Sequence, residues 1–217
     1  MTRVVCLSAG LDSTVNLALA CRKPGGVRLA LTFDYGQRAA KRESDRARRI
    51  AAFYRVPWKP VRLPWLGDIT DTALVARGRK LPELTQARLD DRRATRASAA
   101  AVWVPNRNGV FLNAAAAFAE SLGCREVVLG FNAEEGATFP DNTPAFARAA
   151  TGALRFSTRN AVRAVSYTMA LDKRAIVALA RRLQVPLDLV WPCYGGGRRI
   201  CGHCESCLRF LRASAPR

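Results

Sequence analysis

The sequence contains a single histidine, His203, and nothing pairs it with a serine or cysteine as a nucleophile and its base. Acyl-enzyme chemistry of the Ser-His or Cys-His kind is therefore not expected. No apolar run approaches the ~20 residues of a membrane span. The N-terminus has neither the basic start nor the small-residue cleavage site of a secretory signal, so a cytoplasmic location is expected. Structural disulfides are rare there, and clustered cysteines are then better read as metal ligands or redox groups. Acids are scarce too: 17 Asp and Glu face 35 Lys and Arg, for a formal net charge of +18 and a pI near 10.9. Such a charge attracts polyanions without naming one. An arginine-rich solvated surface and a nucleic-acid contact both fit it.

What is present is ample for a core: 217 residues, 49% of them hydrophobic, enough for one domain with an appendage. Arg3 to Leu7 is a short apolar, β-branched run that stops at Ser8-Ala9-Gly10 and then opens a helix at Leu11-Asp12-Ser13. Small residues let a backbone approach an anion closely. Asp12, Ser13 and Thr14 are expected to cap a helix whose free N–H groups face it. The stretch lacks the Gly-Lys-Ser/Thr end of a Walker loop and the third glycine of a dinucleotide fingerprint. It resembles the Ser-Gly-Gly-x-Asp-Ser loop of ATP-pyrophosphatase (PP-loop) enzymes. An ordinary capped strand-to-helix turn is the plain alternative.

Residues 13 to 22 are helical in composition, and Lys23-Pro24-Gly25-Gly26 ends them. Arg28 to Phe33 is a second buried strand, followed by Asp34-Tyr35-Gly36-Gln37 at its carboxyl end. Arg38 to Arg55 is a charged helix expected to face Ile50, Ala51 and Phe53 inward, and Trp58 to Leu63 is a third strand. From Pro64 to about Ala101 the periodicity degrades, which predicts a mobile insertion. Val104-Pro105-Asn106-Arg107-Asn108 leads into an alanine-rich helix to Leu122. Glu126 to Gly130 is a strand that delivers Phe131-Asn132-Ala133-Glu134-Glu135. Pro144 to Leu154 is helical, Ala161 to Val165 is strand-like, and Leu171 to Leu183 is an amphipathic helix opened by Asp172 and Lys173. Hydrophobic strands alternating with helices predict an α/β fold, a mainly parallel sheet covered on both faces. Its ligands are expected at the carboxyl edge, where Asp34, Arg107, Asn108 and Asn132 should converge.

Near the C-terminus stand Cys193, Cys201, Cys204 and Cys207, spaced C-x7-C-x2-C-x2-C with glycines between. Four thiolates at such spacing suit tetrahedral zinc in a closed, structural site. Iron–sulfur ligation and free cysteines are the alternatives. Cys6, Cys21 and Cys124 fall in strand or helix patterns and are expected in the core. His203 is expected in an exposed loop. The chain thus divides into a nucleotide-binding unit, 1–190, and a cysteine segment, 191–217.

Together the motifs are specific. Ser8-Ala9-Gly10-Leu11-Asp12-Ser13, Phe33-Asp34-Tyr35-Gly36-Gln37, Val104 to Asn108, Gly130-Phe131-Asn132-Ala133 and Trp191-Pro192-Cys193-Tyr194 with the remaining cysteines resemble the 7-cyano-7-deazaguanine synthases in order and interval. The resemblance implies a doubly wound sheet of the adenine nucleotide alpha-hydrolase type with a C-terminal zinc-binding segment. It implies ATP-dependent conversion, with magnesium, of a deazaguanine carboxylate and ammonia to a nitrile through an adenylate and an amide, in queuosine-type biosynthesis by a homodimer. On that basis Ser8, Ala9, Gly10, Leu11, Asp12, Ser13, Asp34 and Asn108 are expected to hold ATP. Asp12, Ser13, Lys173 and Arg107 are expected to act in catalysis. Tyr35, Gln37, Asn132, Glu134 and Asp141 are expected to hold substrate, and Glu134, Glu135 and Asp141 are also candidates for magnesium.

Three departures stand out. Ala9 replaces a glycine, which suits only a position that does not need a positive φ. Phe139-Pro140-Asp141-Asn142-Thr143-Pro144-Ala145-Phe146 stands where many members carry Tyr-Pro-Asp-Cys-Arg-Pro-Glu-Phe. Pro192 stands for the more usual serine. Two other readings compete: a PP-loop enzyme that adenylates a tRNA base, and a zinc-ribbon nucleic-acid-binding protein with the α/β part as scaffold.

Overall fold

Val4 and Val5 have no exposed surface, because the strand that carries them, β1 (Arg3–Cys6), has a parallel neighbour on each side and helices packed over both its faces. The computed structural model describes residues 1–215; the last two residues of the 191–217 segment lie outside them. After β1 come α1 (Leu11–Cys21), β2 (Val27–Asp34), α2 (Ala40–Phe53) and β3 (Trp58–Arg62). Next are α3 (Pro64–Asp68), α4 (Arg92–Ala101), α5 (Arg107–Ser121), β4 (Glu126–Val128) and α6 (Ala133–Gly136). The chain ends with α7 (Pro144–Ser157), β5 (Arg163–Val165), α8 (Lys173–Arg182) and α9 (Glu205–Ser214). The five strands pair in the order β3-β2-β1-β4-β5, every pair parallel.

Alternating side chains divide the core between two faces. Val5, Leu7, Ala30 and Val128 pack with Leu17 of α1 and Ala47, Ile50 and Ala51 of α2. Val4, Leu31, Val127 and Leu129 pack with Leu112, Ala115, Ala116 and Ala119 of α5 and Leu154 of α7. The doubly wound expectation holds. Phe53 does not face inward: it is 57% exposed, since the buried stripe of α2 runs through Ala47, Ile50 and Ala51 and leaves position 53 on the outer side. The chain leaves β1 toward β2 on one side while β4 lies on the other. The crevice between their carboxyl ends is thus the switch point where open α/β sheets place ligands.

Residues 64 to 101 are ordered structure and not a mobile insertion. Leu66, Leu74, Val102 and Val104 bury themselves with Tyr35 in a separate small core, and Asp91 Oδ1 caps α4 by accepting from the Arg93 and Ala94 N–H groups at 2.9 and 3.2 Å. Leu84 N–H donates to His203 O at 3.0 Å, and Arg212 pairs with Asp90 at 2.8 Å, fastening the segment to the cysteine region. The apolar anchors are spaced irregularly, so they leave no periodic signal. His203 is exposed, as expected.

The sheet and α1 meet most closely at Gly130, where an added β-carbon would lie 2.8 Å from the Ser13 nitrogen. Gly130→Ala should therefore cost about 1–3 kcal/mol by overpacking. Gly152→Ala on the open side of α7, where no atom lies within 4 Å, should stabilise by about 0.5–1 kcal/mol. Urea unfolding of the pair checks both signs.

Candidate active site

The turn after β1 is held by its own hydroxyls and by the far end of the chain. Ser13 Oγ accepts from the Ser8 N–H at 3.2 Å and donates to Gly10 O at 3.1 Å, and Ser8 Oγ accepts from the Gly10 N–H at 3.3 Å. Neither Asp12 nor Ser13 caps α1, and Thr14 donates to Gly10 O: the N-cap is Gly10, with no side-chain cap, because Asp12 to Thr14 already lie in the first turn. Ala9 has φ 61°, so the position does take a left-handed conformation. For alanine that costs roughly 1–2 kcal/mol. Full burial and a 2.8 Å hydrogen bond from the Trp191 N–H to Ala9 O hold it there.

Asp12 points away from the helix end, to Lys173. The Lys173 ammonium, only 7% exposed as a residue, donates to Asp12 Oδ2 and, at 2.7 Å, to Glu135 Oε1. Burial pushes the Asp12 carboxyl up to about 6 against the pull of Lys173. Burial acts the same way on Glu135, but the charge and hydrogen bond of Lys173 outweigh it and hold that carboxyl below its usual range. Burial works against the Lys173 charge, and the two carboxylates more than offset it. Asp12 Oδ1 is buried with no hydrogen-bond partner. An acceptor left open beside a phosphate-type loop fits a divalent cation.

These groups open into a cavity of about 260 Å³ at the switch point. One part of its wall is aromatic: Phe33 stacks on Phe111 at 4.3 Å, Tyr35 lies 5.7 Å from Phe111, and Phe139 and Tyr194 complete it. Arg107 Nη1 donates to Tyr35 Oη at 3.3 Å. Gln37 is pinned by the turn that carries it. Its Oε1 accepts from the Tyr35 N–H at 2.9 Å, and its Nε2 donates to Phe33 O at 3.0 Å and to Glu43 Oε2 at 2.8 Å. Burial raises the Glu43 carboxyl to about 7, the Gln37 hydrogen bond and Arg107 only partly opposing it.

Of the expected site residues, Ser8, Gly10, Leu11, Asp12, Ser13, Tyr35, Gln37, Arg107, Asn108, Lys173 and Cys193 line this one cavity. Asp34, Asn132, Glu134 and Asp141 lie at the same carboxyl edge without lining the cavity, so of the four residues expected to converge at that edge Arg107 and Asn108 reach the cavity itself. Asp34 Oδ1 accepts from the Gly36 N–H at 3.0 Å. Asn132 Oδ1 caps α6 through the Glu135 N–H at 3.0 Å. Glu134 accepts from the Lys173 N–H and pairs with Arg209, both at 2.8 Å. The Asp141 carbonyl accepts from Asn108 Nδ2 at 3.4 Å. Glu43, Glu205, Arg209 and Phe210 line the cavity without having been expected there. Glu43 is one of two acids, with Asp45, in a strongly basic helix, and the other three follow the cysteines, where spacing speaks only of the metal.

The sulfurs of Cys193, Cys201, Cys204 and Cys207 lie within 4.8 Å of one another. Those of Cys201 and Cys207 are 3.8 Å apart, the edge of a tetrahedron with bonds of about 2.3 Å to a central ion. Backbone N–H groups of Gly195, Cys201 and Cys204 donate to these sulfurs at 3.3 to 3.4 Å, a donor set suited to thiolates. The cluster fits a four-coordinate metal. Cys193, Cys204 and Cys207 are buried in the same core as Val5 and Leu7.

Replacing the buried ammonium with Lys173→Met strands two carboxyls, at a cost of about 3–5 kcal/mol near neutral pH. Both carboxyls then bind protons more tightly in the folded chain than in the unfolded one, so stability falls as pH rises. Relative to the parent protein, the variant's Tm should recover on acidification from about pH 8 to about pH 5, the range around the already raised Asp12 value. A Tm difference independent of pH would refute the shared-ammonium arrangement.

A family model described as queuosine biosynthesis protein QueC matches residues 2–215. The 7-cyano-7-deazaguanine synthase of Desulforamulus reducens is 54% identical over 213 residues, covering 98% of this chain and 93% of the relative. The enzyme of that name from Pelotomaculum thermopropionicum is 54% identical over 215 residues, 99% and 96% of the two chains. Its counterpart in Methanosarcina mazei is 43% identical over 216 residues, 98% and 93%. Among solved structures, the NH3-dependent NAD synthetase of Campylobacter jejuni aligns with 87% of this chain and 66% of its own at 16% identity, with a TM-score of 0.45. With one family model spanning the sheet, the cavity and the cysteine cluster alike, the chain belongs to the QueC family of queuosine biosynthesis proteins.

Proposed function

We propose that the protein makes 7-cyano-7-deazaguanine from 7-carboxy-7-deazaguanine and ammonia, using ATP. The observation that carries this reading is the cavity that joins the Ser8 to Ser13 turn to a buried, charge-held Lys173, in a chain of the QueC family. A carboxylate is a poor electrophile, so its oxygen first attacks the α-phosphorus of ATP and pyrophosphate leaves. Ammonia then displaces AMP to give the amide. The amide oxygen then attacks the α-phosphorus of a second ATP, releasing pyrophosphate, and loss of AMP and two protons gives the nitrile.

Each step develops or moves negative charge and needs no side-chain nucleophile, so the protein's work is positioning and electrostatics. In this reading the turn at Ser8, Gly10, Leu11 and Ser13 receives the pyrophosphate. Lys173 faces the charge that develops there, and Arg107 and Asn108 orient the substrate carboxyl. Tyr35 and Gln37 shape the pocket for the base. Asp12, through its open Oδ1, and Glu135 are the groups that would hold magnesium, which would supply charge neutralisation to the phosphates. Asp34, Asn132, Glu134 and Asp141, which do not line the cavity, act as positioning residues. Residues 1–190 form the ATP-binding unit, and 191–217 the zinc-binding segment.

Incubation with ATP, magnesium, ammonium and 7-carboxy-7-deazaguanine should yield the nitrile by mass spectrometry, with pyrophosphate released. Asp12→Asn should lower turnover at least about 100-fold, the order expected when an electrostatic partner of the transition state is lost. Amide as the final product, or untouched substrate with no pyrophosphate, would overturn the reading.

The ion in the cysteine cluster is zinc in this account, since four sulfurs leave no position for water and suit a structural site. Elemental analysis should find about one zinc per chain. Structural zinc in peptides is worth roughly 10–16 kcal/mol, so Cys204→Ala should give an unstable, poorly soluble chain. Iron, or active protein without metal, would contradict this assignment.

A further inference from the structure

Four carboxylates line the cavity: Asp12, Glu43, Glu135 and Glu205. Asp12 and Glu135 share the Lys173 ammonium, and Glu205 pairs with Arg209 at 2.9 Å. Glu43 alone of the four has no ion pair among the described residues; its one partner is the neutral amide of Gln37, on Oε2 at 2.8 Å. That amide cannot turn away, because the Tyr35 N–H and the Phe33 carbonyl fix both its ends. Glu43 Oε1 accepts no hydrogen bond within the described residues and borders the cavity.

A carboxylate desolvated by its own pocket yet short of donors is an incomplete site: N–H groups of a ligand would finish it. Burial accordingly keeps the Glu43 proton on up to about 7, the Gln37 hydrogen bond and the Arg107 charge pulling it down and the Asp34 charge adding to the rise. The cavity that Glu43 lines is walled in part by Phe111, Tyr35, Phe139 and Tyr194, flat rings suited to a planar ligand. Among purine-like rings, a guanine-type edge offers two adjacent N–H donors, the ring N1–H and the exocyclic amine. An adenine-type edge offers one donor beside a lone pair that a carboxylate repels. We propose that Glu43 is the specificity residue of this cavity, its carboxylate accepting from the N1–H and 2-amino groups of the deazaguanine ring. The assignment deepens the function proposed above and rests on it.

The test compares the parent protein, Glu43→Gln and Glu43→Asp, on 7-carboxy-7-deazaguanine and on the analogue without the 2-amino group, reading pyrophosphate and nitrile. A site built to bind an N–H rejects a substrate without it by far more than an apolar pocket rejects a missing methylene. The parent protein should therefore prefer the full substrate by at least about 100-fold in kcat/KM. In Glu43→Gln, KM for the carboxylate should rise at least about 10-fold, KM for ATP should stay within about twofold, and the preference should fall below about 10-fold. Glu43→Asp should retain part of it. A merely structural role would lower both substrates together and leave their ratio unchanged.

A ratio near one in the parent protein overturns the assignment without any variant, as does full discrimination in Glu43→Gln. A rise in KM for ATP alone overturns it by moving the carboxylate to the adenine. If the parent protein turns over neither substrate, the proposed function fails and takes this assignment with it. If nitrile forms but discrimination survives Glu43→Gln, only the assignment fails.

Discussion

One ammonium group governs the centre of this molecule. Lys173 Nζ is contributed by α8, Asp12 by α1 and Glu135 by α6, so the contact that pairs one cation with a buried and a partly exposed acid also fixes three helices around the switch point. One cation facing two anions leaves the trio with a net negative charge and one carboxylate oxygen without a partner. The geometry is stable only as a set. Removing the ammonium alone leaves two carboxyls without a cation, which costs more than the intact set contributes.

The cysteine segment is joined to that centre through the backbone. The Trp191 N–H holds the Ala9 carbonyl, Arg209 of α9 pairs with Glu134 beside the start of α8, and Cys193 lines the cavity. The cluster is thus part of the sheet's own core and of the site's wall. A metal bound there would hold the phosphate-type turn and the far wall in register, and the left-handed Ala9 would be kept ready without rearrangement.

The sheet was legible because its strands are apolar runs ending in small or polar residues, as at Leu7-Ser8 and Phe33-Asp34. The cavity was legible in part for the same reason: strand ends in a parallel sheet share an edge. What escaped depended on facts that periodicity does not carry. Phe53 looks apolar in sequence but falls off the buried stripe of α2. The anchors of residues 64 to 101 are too irregular to declare order. Asp12 and Ser13 have the composition of caps, but the cap falls two residues before Asp12, at Gly10. Asp34 and Asn132 sit at the right edge; each spends its Oδ1 on a backbone N–H, while the Asn132 Nδ2 is buried without a partner. Glu43 matters because of what does not pair with it, and a missing contact has no signature in a sequence.

The outermost strand, β3, carries Lys59, Pro60 and Arg62 along Trp58–Arg62, and the opposite edge, β5, is three residues long and begins with Arg163. Proline offers no N–H to an incoming strand, and cations repel a second copy of the same edge. Both borders of the sheet are therefore poor templates for strand addition. The chemistry of four side chains thus guards a sheet of hydrophobic parallel strands against edge-to-edge pairing, and any self-association would draw on helical or loop surfaces.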